Sequence, residues 1–101
     1  MAKYVYIVRR MLDYSGKIEY EKAMANLDDA KEFIRERMTR YSIAARQRYV
    51  RVSQQEKDRI RKEYENMTIK LRKSDWTWTH YDNETYEAVW ELKRLEIIEN
   101  I

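Results

Sequence analysis

Cysteine and proline are absent from this 101-residue chain, and Gly16 is its only glycine. Without cysteine there is no disulfide, no thiol nucleophile and no zinc-thiolate site, a composition that fits a reducing compartment. A single glycine excludes the glycine-rich loops that cradle phosphates, and turns must be built from Asn, Asp and Ser. His80 is the sole histidine, and no Asp-x-Asp-x-Asp-Gly calcium pattern occurs, so neither a metal nor a cofactor is expected. No apolar run approaches the roughly 20 residues that span a bilayer. The apolar run after Lys3, Tyr4 to Val8, is too short for a signal peptide. The expectation is a cytoplasmic protein with no membrane partner.

What is present is charge and aromatic surface. Charged residues make up 39% of the chain and apolar residues 44%, with nine tyrosines and three tryptophans, which argues for a folded domain with a modest core. The length suits one domain, residues 1–101, with a basic central helical region at about 35–73. The net charge is +3 and unevenly placed: 0 over residues 1–34, +8 over 35–73 and −5 over 74–101. Such asymmetry bears on partners rather than on fold.

Local patterns define six elements. Tyr4 to Leu12, rich in Tyr, Val and Ile, reads as a strand, and Asp13-Tyr14-Ser15-Gly16 as a turn in which Gly16 supplies a positive φ. Lys17 to Ala25 is the return strand, with Ile18, Tyr20 and Met24 on one face and Glu19 and Glu21 on the other, opposite Arg9 or Arg10. Asn26 caps a helix whose first turn carries Asp28 and Asp29, and Leu27, Ala30, Phe33, Ile34, Met38 and Tyr41 form its apolar stripe. The stripe loses phase near Ser42, so a break is expected there, and Ile43 to Val52 fits either a short helix or an irregular connector. Ser53-Gln54-Gln55-Glu56 is a capping box opening a second helix. Its stripe is Ile60, Tyr64, Met67 and Leu71, which predicts helix through about Leu71 with Ile69 exposed. Met67, Ile69 and Leu71 would instead share one face in a strand. Trp76 to Tyr81 and Thr85 to Leu95 form a second hairpin around Asp82-Asn83-Glu84. A three-residue loop places Trp76 opposite Trp90 and Trp78 opposite Ala88. The order β-β-α-α-β-β implies an α+β fold, a four-stranded, mainly antiparallel sheet with the helices on one face.

Tyr4-Val5-Tyr6-Ile7-Val8, Ile18-Glu19-Tyr20, Asn26-Leu27-Asp28-Asp29-Ala30 and Tyr86-Glu87-Ala88-Val89-Trp90-Glu91-Leu92 together resemble the small orphan α+β proteins of bacteriophage genomes, which pair an N-terminal hairpin with a capped helix and a late strand. The resemblance covers about half the chain and leaves out the basic insert from about Tyr41 to Asp75. It implies a phage accessory role in a host bacterial cytoplasm and carries over no functional residue.

Catalysis is not expected. Ser15, Ser42, Ser53 and Ser74 each have a turn or capping explanation, His80 lies in an aromatic strand, and Glu19 with Glu21 reads as a solvated face paired with arginines. The informative stretch runs from Arg35 to Arg51, with six arginines, one glutamate (Glu36) and no lysine. Arginine grips phosphate and carboxylate oxygens in pairs and stacks on flat rings, and lysine does neither. The candidate partner-binding residues are Arg35, Arg37, Arg40, Tyr41, Arg46, Arg48, Tyr49 and Arg51, extended by Lys70, Arg72 and Lys73. The alternative is a solvated surface that attracts the protein's own acidic C-terminal third, within one chain or in a homodimer. A second candidate is the aromatic set Trp76, Trp78, Trp90, Tyr86 and Tyr81, as core or as interface anchors. The expected partners are a protein or nucleoprotein target, with DNA or RNA as the other reading.

Overall fold

The computed structural model describes residues 3–12, 15–81 and 88–98. Its elements are β1 (Lys3–Leu12), β2 (Ile18–Met24), α1 (Leu27–Gln47), α2 (Gln54–Glu65), β3 (Thr77–Tyr81) and β4 (Ala88–Ile97). The strands form one antiparallel sheet in the order β2-β1-β4-β3, so the first and last long strands are central neighbours and the fold class is α+β. Among the described residues no helix is long and apolar enough to cross a membrane.

The two faces of the sheet differ. Even-numbered residues of β1 and β4 (Val8, Arg10, Ala88, Trp90 and Leu92) are buried, and the helices lie on this side. One hydrophobic cluster joins Val8, Trp90 and Leu92 to Ala30, Ile34 and Met38 of α1, Ile60 and Tyr64 of α2, and Ile69. The odd-numbered face has no covering element among the described residues. Its one buried member, Thr77, is held by Arg72, whose guanidinium donates to the Thr77 hydroxyl at 2.7 Å.

The first hairpin follows its local signals. Gly16 has φ +67° and donates its N–H to the Leu12 carbonyl, while Leu12 donates to Lys17. A bulge at Arg10/Met11 alters the expected facing of the return strand. Tyr20 and Met24 remain on the helix face opposite Arg10 and Tyr6, but Ile18 lies opposite Met11 on the other face and is exposed. Asp13 and Tyr14 lie outside the described residues.

Helix α1 starts as its sequence dictates, with the Asn26 side chain accepting from the amides of Asp28 and Asp29. The break expected near Ser42 does not occur. Ser42 is small enough to be buried in the helix, the Thr39 hydroxyl donates back to the Arg35 carbonyl, and α1 runs unbroken to Gln47. Helix α2 is capped by Ser53, which accepts from the Glu56 amide, but it ends at Glu65 with Asn66 as its C-cap, short of Leu71. Residues 67–72 run outside any helix or ladder. Ile69 is only 2% exposed, between exposed Thr68 and Lys70, which is the alternation of the strand alternative. Helical phase would have pointed Ile69 into solvent, whereas the non-helical path buries it, worth about 1.5–3 kcal/mol.

The second hairpin has a different register from the one expected. Trp78 lies opposite Leu92 and His80 opposite Trp90, four positions from the three-residue-loop alignment. Residues 82–87, Tyr86 and the expected Asp82-Asn83-Glu84 loop among them, lie outside the described residues. An even shift keeps every side chain on its face, so the expected aromatic face survives the wrong register. Trp76 precedes the strand with φ +54°, in a turn where it donates to the Arg72 carbonyl. Its ring lies 3.6 Å from the Arg94 guanidinium, which is stacked between Trp76 and Tyr4.

Candidate functional site

The arginine-rich stretch is contiguous in sequence but not in space. Residues of an α-helix advance by about 100° each, so Arg35 and Arg46 share one face of α1 while Arg37 and Arg40 lie on others. Each of these four has a structural partner. Arg35 donates through Nε to the Met67 carbonyl at 3.1 Å and pairs with Glu32 at 3.4 Å, which ties α1 to the segment after α2. The Arg37 guanidinium sits over the rings of Tyr20 and Phe33, at 5.4 and 5.1 Å, and those rings stack on each other. Arg40 pairs with Glu36 one turn back at 2.5 Å, and Arg46 crosses to Glu56 of α2 at 2.7 Å.

Tyr41 is half-buried and packs against the core. Its ring meets Trp90 edge-on at 5.6 Å and lies 4.3 Å from the Arg10 guanidinium, which also faces Trp90 and pairs with Glu19. Its ring is thus engaged within the chain by Trp90 and Arg10. Arg10, only 7% exposed, is the basic residue most deeply built into the fold. The sequence places it only on a strand beside Glu19, and nothing in that pattern marks it as interior.

What remains is the α1–α2 turn. Arg48 is the C-cap of α1, and Tyr49, Val50 and Arg51 follow before Val52 turns inward. Tyr49 is 86% exposed and Val50 59%. The side chains of Arg48 and Arg51 make no ion pair or hydrogen bond among the described residues. No carboxylate occurs between Glu36 and Glu56, and Glu56 is occupied by Arg46. From Ala44 to Arg59 only Val52 is buried, so this end of the helix pair is thin. The molecule measures 56 × 29 × 22 Å, with a radius of gyration of 15.3 Å against the roughly 13 Å usual for this length.

The second group of basic residues is elsewhere. Helix α2, about 18 Å long, separates the tip from Lys70, Arg72 and Lys73. Lys70 and Lys73 are exposed. Arg72 clamps Asp75 through Nε and a terminal nitrogen at 3.3 and 2.8 Å. The Asp75 carboxyl is held below its ordinary value, chiefly by the Thr77 side chain and also by the Thr77 amide and the Arg72 guanidinium. The sequence-based set thus resolves into a compact tip of Arg48, Tyr49 and Arg51, structural residues (Arg35, Arg37, Arg40, Tyr41, Arg46 and Arg72), and two outlying lysines. Val50 belongs with the tip, and its only sequence signal is an apolar residue between two arginines.

In the aromatic set, Trp90 is 1% exposed and is core, whereas Trp76 and Tyr81 are exposed. His80 stacks on Trp78 at 5.7 Å with ring planes nearly parallel. Its Nε2 and the Trp90 Nε1 are buried and have no hydrogen-bond partner among the described residues. No three His, Cys, Asp or Glu residues gather into a metal-binding group among the described residues. Compared with protein-family models, with curated proteins and with solved structures, the chain matches none.

Proposed function

We propose that this chain is a non-catalytic binding protein that docks on an acidic surface of a larger protein assembly through the α1–α2 turn. The exposure of Tyr49 and Val50 between Arg48 and Arg51 carries the reading. An aromatic ring held in water at the end of a two-helix projection contributes nothing to the chain's own core. Tyrosine and arginine are the residue types that dominate interface hot spots. The two arginines would steer the tip toward carboxylates and grip them in pairs. The resemblance to phage orphan proteins supplies the instance: a phage-type inhibitor of a bacterial defence system or host machine, such as a CRISPR effector. The reading invokes no catalytic step, metal or cofactor.

Direct binding of DNA or RNA is the alternative, favoured by the carboxylate-free stretch from Arg37 to Gln55 and by Tyr49 as a stacking platform. Phosphate tracking needs a run of free cations, and here most of the arginines are engaged within the chain.

The test is affinity capture from bacterial lysate at about 50 and 300 mM salt, with size-exclusion and light scattering against a mixed short DNA and RNA pool in parallel. Wild type, Tyr49→Ala and Arg48→Glu/Arg51→Glu are compared. A single protein retained by wild type at both salts and lost by both variants supports the reading. A nucleic-acid complex that vanishes at the higher salt selects the alternative. Capture indifferent to the tip variants overturns both.

A further inference from the structure

Among the described residues, the sheet face opposite the helices holds most of the remaining exposed large apolar side chains. Of the large apolar residues that are exposed, Ile18, Tyr81, Leu95 and Ile97 all lie on it. The cross-strand register arranges this face in bands. Ile18, Met11, Val89 and Tyr81 form an apolar row. The next row is charged, with Glu21, Arg9, Glu91 and Thr79. Arg9 pairs there with Glu21 at 2.5 Å and with Glu91 at 3.6 Å. Ala23, Ile7, Lys93 and Thr77 follow, and then Val5 beside Leu95.

We infer that this face binds a second copy of the chain, sheet on sheet, about a two-fold axis running along the β1–β4 seam. The reason is self-complementarity. A two-fold parallel to the strands on that seam lays β1 of one copy over β4 of the other and keeps every row in place. Arg9 of each copy then faces Glu91 of the other, twice over. Met11 meets Val89 and Val5 meets Leu95, apolar on apolar, while the Lys93 stem covers Ile7 and its ammonium reaches past it to water. An axis centred on β1 would instead set Arg9 against Arg9, so the charge row selects the seam. Stacked antiparallel sheets cross at about 30°, which leaves the central rows in contact.

The size agrees with a reversible dimer. Strands of 10, 7, 5 and 10 residues, at about 3.3 Å per residue and 4.8 Å per strand, present at most about 500 Å² per copy. Two copies bury no more than about 1,000 Å², in the range of weak, reversible interfaces. The dimer leaves the α1–α2 tip of each copy free, so it stands or falls independently of the tip reading.

Analytical ultracentrifugation of the full chain over a wide concentration range tests it. The weight-average mass rises from 12.6 kDa to twice that value. Arg9→Glu and Glu91→Arg each place like charges across the interface and each stay monomeric. An equal mixture of the two restores the dimer, because positions 9 and 91 then carry opposite charges at both of their crossings. Leu95→Glu, which leaves the charged row intact, weakens the dimer about tenfold or more, and circular dichroism checks that each variant is folded. A mass that stays at one chain throughout overturns the inference. So does a dimer unaffected by Leu95→Glu, or a pair of variants that fails to associate when mixed.

Discussion

The body of α1 and the turn that ends it carry the same residue type and use it in opposite ways. From Arg35 to Arg46 the guanidinium groups are engaged within the chain, with Met67, Tyr20 and Glu56 outside α1 and with Phe33 and Glu36 of the helix itself. Two and five residues further on, Arg48 and Arg51 face solvent beside an exposed tyrosine. Density of arginine along a sequence is therefore not density of available charge. The helical rotation distributes the side chains, and whichever carboxylates, carbonyls and rings they meet decide their role.

The sharpest way to break this contrast is to remove an arginine from the interior. Arg10→Ala deletes the guanidinium lying against Tyr41 and Trp90 and leaves Glu19 without its partner. We expect a loss of about 2–3 kcal/mol in denaturant unfolding. Arg35→Ala strips the Met67 carbonyl of its donor at a half-buried site and is expected to cost about 1–2 kcal/mol. Arg48→Ala and Arg51→Ala should stay within about 0.5 kcal/mol of wild type in the same assay while weakening partner capture. If they destabilise as much as Arg35→Ala, the division between body and tip is wrong.

The smallest effect concerns Asp75. Its folded carboxyl lies below the ordinary value, so its contribution to stability is complete above about pH 4 and is lost as pH falls through the lower folded value. In acid titrations followed by circular dichroism, Asp75→Asn should remove that part of the acid-side dependence and leave stability near neutral pH slightly reduced. As Asp75 is exposed, a large neutral-pH loss would mean that the Arg72–Asp75–Thr77 turn holds more of the fold than its contacts indicate.

Much of the architecture is legible wherever the governing interaction is local. Asn26 and Ser53 cap the two helices because a side-chain oxygen finds amides two or three residues away. Gly16 turns the first hairpin because it alone adopts a positive φ without strain. The failures are equally specific. A break is expected near Ser42 because the apolar stripe loses phase there, yet Ser42 is buried and the helix runs through it. Ile69 reads as helical because Met67 and Leu71 keep helical spacing with Tyr64. All three residues instead turn toward the core from a non-helical segment. The expected β3–β4 register is four positions from the observed one, and an even shift leaves every side chain on its face, so alternation cannot detect it.

Of the candidate site, composition identifies the right stretch of chain but too many of its members. It is blind to the cation–π contacts of Arg10, Arg37 and Arg94, which join residues far apart in sequence. Residue order by itself determined the type and order of the six elements, both helix N-caps and the alternation of β1, β3 and β4, since those depend on neighbours within about four positions. Tertiary structure decided which sheet face is covered, which arginines remain free, and that Arg9 and Glu91 sit side by side on the open face. Each of these depends on what the chain brings together from dozens of residues away.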